Sequence, residues 1–142
     1  MTEAFQLDTR LAADCITVGR LPLSLLLLLN DARYPWFLLV PQRAGMTEVF
    51  DLPSAEQQQL CHESVHLSRC MKQAFHADKM NVGVLGNLVP QLHVHHVARF
   101  SSDPAWPGPV WGHSEPEYYD KPRISERLAM ASDWFGDELE MI

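Results

Sequence analysis

The chain has 142 residues, 46% of them apolar and 20% charged, with a formal net charge of −7. That length suits one domain able to bury about two-thirds of its unfolded surface, and the composition is that of an ordinary globular protein rather than a disordered one. The acidic balance argues against extended binding to a nucleic-acid backbone, while leaving room for one small phosphorylated ligand in a local pocket.

Met1 to Phe5 holds no basic region followed by an apolar one, so a signal peptide is not expected. Ile16 to Leu29 reads as one or two strands, and its run Leu25 to Leu29 is too short to span a bilayer. Asn30-Asp31-Ala32-Arg33 supplies turn residues. Trp36 to Val40 then reads as a further strand, stopped by Pro41. Both runs are apolar on both faces, which predicts central strands covered on both sides. The tight turn between them predicts an antiparallel hairpin.

Ser54 to about Ala77 reads as the one long helix, with Ser54 as N-cap and Gln57 completing a capping box. Leu60, Ser64, Leu67, Met71, Ala74 and Phe75 follow helical spacing and form the expected buried stripe. Glu56, Gln58, Glu63 and Lys72 fall largely outside it. Met80 to Leu85 reads as a strand, Gly86-Asn87 as a turn, and Leu88-Val89-Pro90 as the approach to a histidine-bearing strand. Asp103 to Gly112 is a loop rich in Pro, Gly and Trp, whose Trp106 and Trp111 read as packing anchors. A second helix is predicted from Ser125 to Phe135. The order of elements predicts an α+β fold with an antiparallel sheet of about five strands, one long helix and a C-terminal helix. Residues 1–142 form a single domain, with a core over about 15–100 and an extension over 101–142. Cys15, Cys61 and Cys70 lack a metal-type spacing and read as reduced thiols of a cytoplasmic protein.

The most informative stretch is Gln91-Leu92-His93-Val94-His95-His96-Val97-Ala98-Arg99. In an extended chain Gln91, His93, His95 and Arg99 share one face, and His96 points the other way. Histidine is the side chain whose ordinary pKa lies nearest neutrality, so two imidazoles on one face suggest chemistry. A neutral imidazole is a competent nucleophile toward phosphorus once its other nitrogen donates to a fixed acceptor, such as a backbone carbonyl. A protonated His95 would neutralise developing charge or protonate a leaving oxygen. His-x-His is also a workable ligand pair for zinc, but spacing supplies no third ligand, and neither a metal nor another cofactor is expected. His96 is expected to be packed, His62, His66 and His76 to be solvated or at the boundary of the long helix, and His113 and an Arg99 ion pair to lie at the surface.

Gln91-Leu92-His93-Val94-His95-His96-Val97 resembles the signature of the histidine triad (HIT) superfamily, which alternates histidine with apolar residues. Phe37-Leu38-Leu39-Val40-Pro41, followed by one long helix, a strand and a glycine-bearing turn, agrees with that resemblance, which covers roughly Cys15 to Arg99. The resemblance implies an enzyme, a nucleotide hydrolase or transferase acting at an α-phosphate, with a nucleoside phosphoramidate or dinucleoside polyphosphate as the type of substrate. It implies that His93 is the nucleophile and that His95 contacts the phosphate, with Gln91 standing at the first triad position. It further implies that Asn30 or Asp31 meets ribose hydroxyls, that Asn87 lies on the phosphate side, and that the protein is a homodimer. Gln91, Trp36 and Leu88 depart from the residues common in relatives. The alternative reading is therefore a nucleotide-binding module with little turnover.

Overall fold

The apolar runs of the first half pair with one another directly. In the computed structural model, which describes residues 3–142, β1 (Cys15–Arg20), β2 (Ser24–Leu29) and β3 (Trp36–Pro41) form an antiparallel meander. Met1 and Thr2, the start of the segment read for a leader, lie outside the described residues. β5 (Val94–Arg99) runs between β3 and the edge strand β4 (Lys79–Gly83), and β6 (Glu140–Met141) closes the other edge against β1. The sheet order is β4-β5-β3-β2-β1-β6, antiparallel throughout. The sixth strand exceeds the expected count of about five because two residues carry no readable alternation. Gly19 lets it approach: a Cβ there would lie 2.5 Å from the carbonyl oxygen of Glu140.

Three helices accompany the sheet: α1 (Thr9–Asp14), α2 (Ser54–Phe75) and α3 (Lys121–Phe135). Among the described residues no helix is long and apolar enough to cross a membrane. Side-chain parity divides the core into two layers. Leu26, Leu28, Phe37, Leu39, Val94 and Ala98 face α2 and α3. Leu25, Leu27, Leu38, Val40 and Val97 face the opposite layer, which is built from α1, the 84–93 connection and the 100–112 loop. β2 and β3 are thus covered on both sides, as their unbroken apolar runs predict.

Several boundaries differ from the sequence reading for local reasons. Ser54 is already helical and Pro53 takes the N-cap position without a side-chain hydrogen bond, so the capping box at Ser54 does not form. The Gln57 amide donates instead to the Leu52 carbonyl at 2.9 Å. On α2 the buried residues are Leu60, Glu63, Leu67 and Met71, while Ala74 is exposed. Glu63 is buried, and its Oε2 accepts hydrogen bonds from the Leu23 N–H and the Gln59 amide. α3 starts at Lys121, four residues ahead of its expected start at Ser125. Asp120 caps it, and Pro122 sits in the first turn, where a missing N–H costs nothing. β4 ends at Gly83 rather than Leu85, and β5 begins at Val94, so Gln91, Leu92 and His93 precede the strand. Leu92 donates its N–H to Met46 instead of to the ladder.

Arg99 is not a surface residue. It is 2% exposed, and its guanidinium donates to both carboxylate oxygens of Asp103, to Asn81 and to the Gly108 carbonyl. This pairing anchors the loop after β5 to β4. Breaking a buried pair on one side strands the other charge, at a cost of about 3 kcal/mol. Asp103→Ala is expected to lower the unfolding free energy by about that amount in urea titrations; a loss under about 1 kcal/mol would contradict this account of the pair.

Candidate active site

A cavity of about 420 Å3 opens on the face of the sheet away from α2 and α3. Trp36, Leu38 and His95 form its floor, and His93 stands beside them. The walls come from Arg10 and Leu11 of α1, from residues 85–89, and from residues 110–112 and Ser114 of the C-terminal extension.

The two histidines carry opposite hydrogen patterns. His93 Nδ1 lies 2.6 Å from the Gln91 carbonyl oxygen. A carbonyl only accepts, so Nδ1 bears a hydrogen, and in the neutral ring it is Nε2 that carries the free lone pair. His95 Nδ1 lies 3.0 Å from Trp36 Nε1. An indole N–H only donates, so this Nδ1 is bare and the hydrogen sits on Nε2. The ring centroids are 4.9 Å apart, close enough for both rings to reach one phosphate. Burial, with His93 and His96 beside it, lowers the His95 pKa from 6.5 to about 3. His95 is therefore a neutral donor near pH 7, which corrects the expectation of an imidazolium at this position. His96 turns to the other face, as strand parity requires. There its Nδ1–H donates to the Val94 carbonyl and its Nε2 accepts from the Ser64 hydroxyl at 2.7 Å. Burial lowers its pKa to about 4 against the opposing pull of hydrogen bonds at the Val94 and Phe37 backbone.

Gln91 does not present its side chain to the cavity. Its amide oxygen accepts the Asp8 N–H and its amide nitrogen donates to the Gln6 carbonyl, both at 2.8 Å. The amide thus ties down the segment leading into α1, and only the backbone carbonyl of Gln91 serves the site. Asp31 does line the cavity, buried at 2% exposure. It accepts the Arg33 guanidinium through both oxygens, and Arg33 also donates to the Ser114 hydroxyl. Asn30 does not line it. Its side-chain oxygen accepts the Tyr119 N–H at 2.9 Å, and the residue borders a neighbouring cavity with Arg10 and Tyr118. Asn87 lies exposed at the rim beside Gly86, whose φ of +84° makes the turn.

Sequence reasoning missed Trp111, Arg33 and the α1 wall. The Trp111 ring packs edge-on 5.5 Å from His95. The ring lies over Gly83, where a Cβ would meet it in ordinary contact at 3.4 Å. Tryptophan in a Pro/Gly-rich loop is the usable signal; α1 offers only Asp8 as a cap for a six-residue helix. Trp106 stays 37% exposed, over the Arg99 guanidinium. His62, His76 and His113 are exposed, and His66 is half-buried against Phe135. Among the described residues no three His, Cys, Asp or Glu side chains gather closely enough to hold a metal ion.

The fold and site define a class: an α+β domain with paired imidazoles at a cleft of the size that takes a small ligand. The HIT domain family model matches residues 10–102, and the chain belongs to that family. HIT domain proteins are in general nucleotide-binding hydrolases and transferases. A histidine triad protein from Marinobacter aquaeolei VT8 is 46% identical, with a TM-score of 0.91 over 93% of this chain and 96% of that one. One from Bradyrhizobium japonicum is 44% identical, with a TM-score of 0.90 over 92% of this chain and 98% of that one. One from Sinorhizobium meliloti 1021 is 44% identical, with a TM-score of 0.89 over 91% of this chain and 96% of that one. No curated protein matches the chain.

The buried histidines make stability depend on acidity with a definite sign. Unfolded, both rings take a proton near pH 6.5; folded, they resist it down to about 3 and about 4. Their contribution is full above about pH 6.5 and is lost as pH falls toward 4. Thermal and urea unfolding between pH 7 and pH 5 are expected to show this decline. In His96→Asn the slope should be shallower by up to about 1.4 kcal/mol per pH unit; equal slopes would refute the assignment.

Proposed function

We propose that this protein cleaves a small nucleotide at its α-phosphate through a nucleotidyl-His93 intermediate. We infer a branch of the family in which Gln91 occupies the first triad position. The observation that carries this reading is the split hydrogen pattern of the pair: a bare Nε2 on His93 beside an Nε2–H on His95. The nucleophile and the phosphate-oxygen donor are then both present without any change of protonation.

In the first step His93 Nε2 attacks the α-phosphorus and a P–N bond forms. The bond to the leaving oxygen or nitrogen breaks, and the leaving group departs with its electrons and takes up a proton from solvent. His93, still carrying its Nδ1 hydrogen, becomes a cationic N-phosphoryl ring, and the Gln91 carbonyl holds that hydrogen. His95 Nε2–H donates to a non-bridging oxygen, where negative charge grows. In the second step water attacks phosphorus, releases a proton to solvent and returns neutral His93. We assign ribose recognition to Asp31 rather than Asn30, because Asp31 borders the cavity and Asn30 does not. Asn87, at the rim, is our choice for a polar contact with the phosphates. Suitable substrates are nucleoside phosphoramidates and dinucleoside polyphosphates.

We further assign the protein to the cytoplasm, where Cys15, Cys61 and Cys70 would stay free thiols. We also propose a homodimer. The edge strand β4 and the stretch after it expose Val82, Val84 and Leu85, an apolar edge that a second copy would cover.

Incubation with adenosine phosphoramidate or a dinucleoside polyphosphate tests the catalytic reading. Wild type should release nucleoside monophosphate, and His93→Ala should lose at least about a thousandfold in kcat. If nucleotide binds but both proteins turn over equally slowly, the binding-module alternative replaces the enzyme. Light scattering at micromolar concentration should give the mass of two chains; a monomer would dismiss the dimer.

A further inference from the structure

Trp36 reaches the site from β3, next to β5 in the sheet. Its indole nitrogen is the group that meets His95 Nδ1, at 3.0 Å. The indole is held tightly: Trp36 is 6% exposed, and the rings of Tyr34 and Trp111 pack edge-on against it at 6.2 Å each. An indole cannot accept a hydrogen bond at nitrogen and does not titrate, so the interaction has one sense only. If His95 moved its hydrogen to Nδ1, two N–H groups would face each other in a buried place and Nε2 would turn a lone pair toward the phosphate. Both changes are unfavourable.

We propose that Trp36 is a positioning residue that fixes His95 as an Nε2–H donor toward the phosphate. The ionisable groups around His95 are His93 just before β5, His96 next to it in β5 but turned to the other face, Asp31 and Arg33 from the turn before β3, and Arg10 and Asp14 from α1 across the cavity. The two arginines have carboxylate neighbours: Arg33 is tied to Asp31, and Arg10 lies 4.0 Å from Asp14. Among the described residues the indole is the one group that hydrogen-bonds to the His95 ring. Fixing that ring by a donor rather than by a carboxylate reverses the usual device, in which an acceptor at one nitrogen raises the basicity of the other. Here the ring is held less basic, and the site works by hydrogen bonding to phosphate rather than by delivering a full charge.

The inference rests on the reading of His93 and His95 as a phosphate-facing pair, yet its first measurement needs no turnover. Imidazole 15N spectra of the wild type should show His95 with Nδ1 bare and Nε2 protonated, unchanged from pH 8 to pH 5. Trp36→Phe removes the donor, and Trp36→benzothienylalanine removes it while keeping the ring shape, which guards against a folding defect in the first variant. In either, His95 should become a mixture of tautomers, and kcat should fall about tenfold with KM little changed. A wild-type His95 protonated at Nδ1 near pH 7 would overturn the proposal. So would an unchanged His95 spectrum and kcat in the benzothienyl variant. Should His93→Ala prove as active as wild type, the catalytic reading fails while the 15N spectra still decide whether Trp36 holds the tautomer.

Discussion

Three histidines around the start of β5, His93, His95 and His96, bury their rings, and each ring nitrogen that leaves water needs a partner or an open cavity. His93 is held by the Gln91 carbonyl, His95 by the Trp36 indole, and His96 by the Ser64 hydroxyl with the Val94 carbonyl. These partners lie on the approach to β5, on β3, on α2 and on β5 itself. Satisfying the imidazoles therefore constrains how β5 registers against β3 and how α2 lies on the sheet. The registry places His95 opposite Leu38 on one side and Gly83 on the other. Function and fold meet in that pairing, because shifting β5 by one residue would turn His96 into the cleft and send His95 under the helix.

The first half of the chain was legible because its elements carry strong patterns. β2 and β3 are unbroken apolar runs, and α2 is long enough for a 3.6-residue period to show. The histidine face was legible for the same reason: parity alone separates His95 from His96. What escaped depends on partners distant in sequence. Glu63 reads as a solvated helix residue, and it is buried where it accepts the Leu23 N–H, forty positions away. Arg99 reads as a surface cation until Asp103 folds back under it. Gln91 shares its face with the histidines on paper, but the chain is not yet a strand there, and its amide goes to residues 6 and 8. β6 has only two residues, and the close approach at Gly19 that admits it is a three-dimensional fact.

The C-terminal extension is part of the site rather than an appendage. The turn between β2 and β3 holds it: Asn30 accepts from Tyr119, Ala32 donates to Glu117, and Arg33 donates to Ser114. A sequence reader weighing Asn30 and Asp31 sees two equivalent turn formers. Geometry divides their work, with Asn30 holding the extension and Asp31 bordering the cleft. Trp111 then closes the wall above Gly83, so a glycine in β4 and a tryptophan some thirty residues later act as one feature.

Gln91 and Trp36, two of the departures from the sequence common in relatives, have related consequences. Neither side chain titrates, and each puts its polar atoms to positional use: one draws the chain before α1 against the site, the other orients His95. Positive charge near the paired imidazoles is correspondingly scarce. Burial keeps His95 neutral, and of the two arginines that border the cleft, Arg33 is bound to Asp31 and Arg10 lies beside Asp14. Under the proposed function, such a site would stabilise a phosphoryl group through oriented N–H donors in a low-dielectric pocket, where such dipoles need little reorganisation as charge develops. It would give up some Coulombic attraction for the substrate in return for a His95 donor that stays neutral across neutral pH. His95 and His93 thus form a pair of imidazoles whose Nδ1 atoms are fixed by uncharged neighbours, the Trp36 indole and the Gln91 carbonyl.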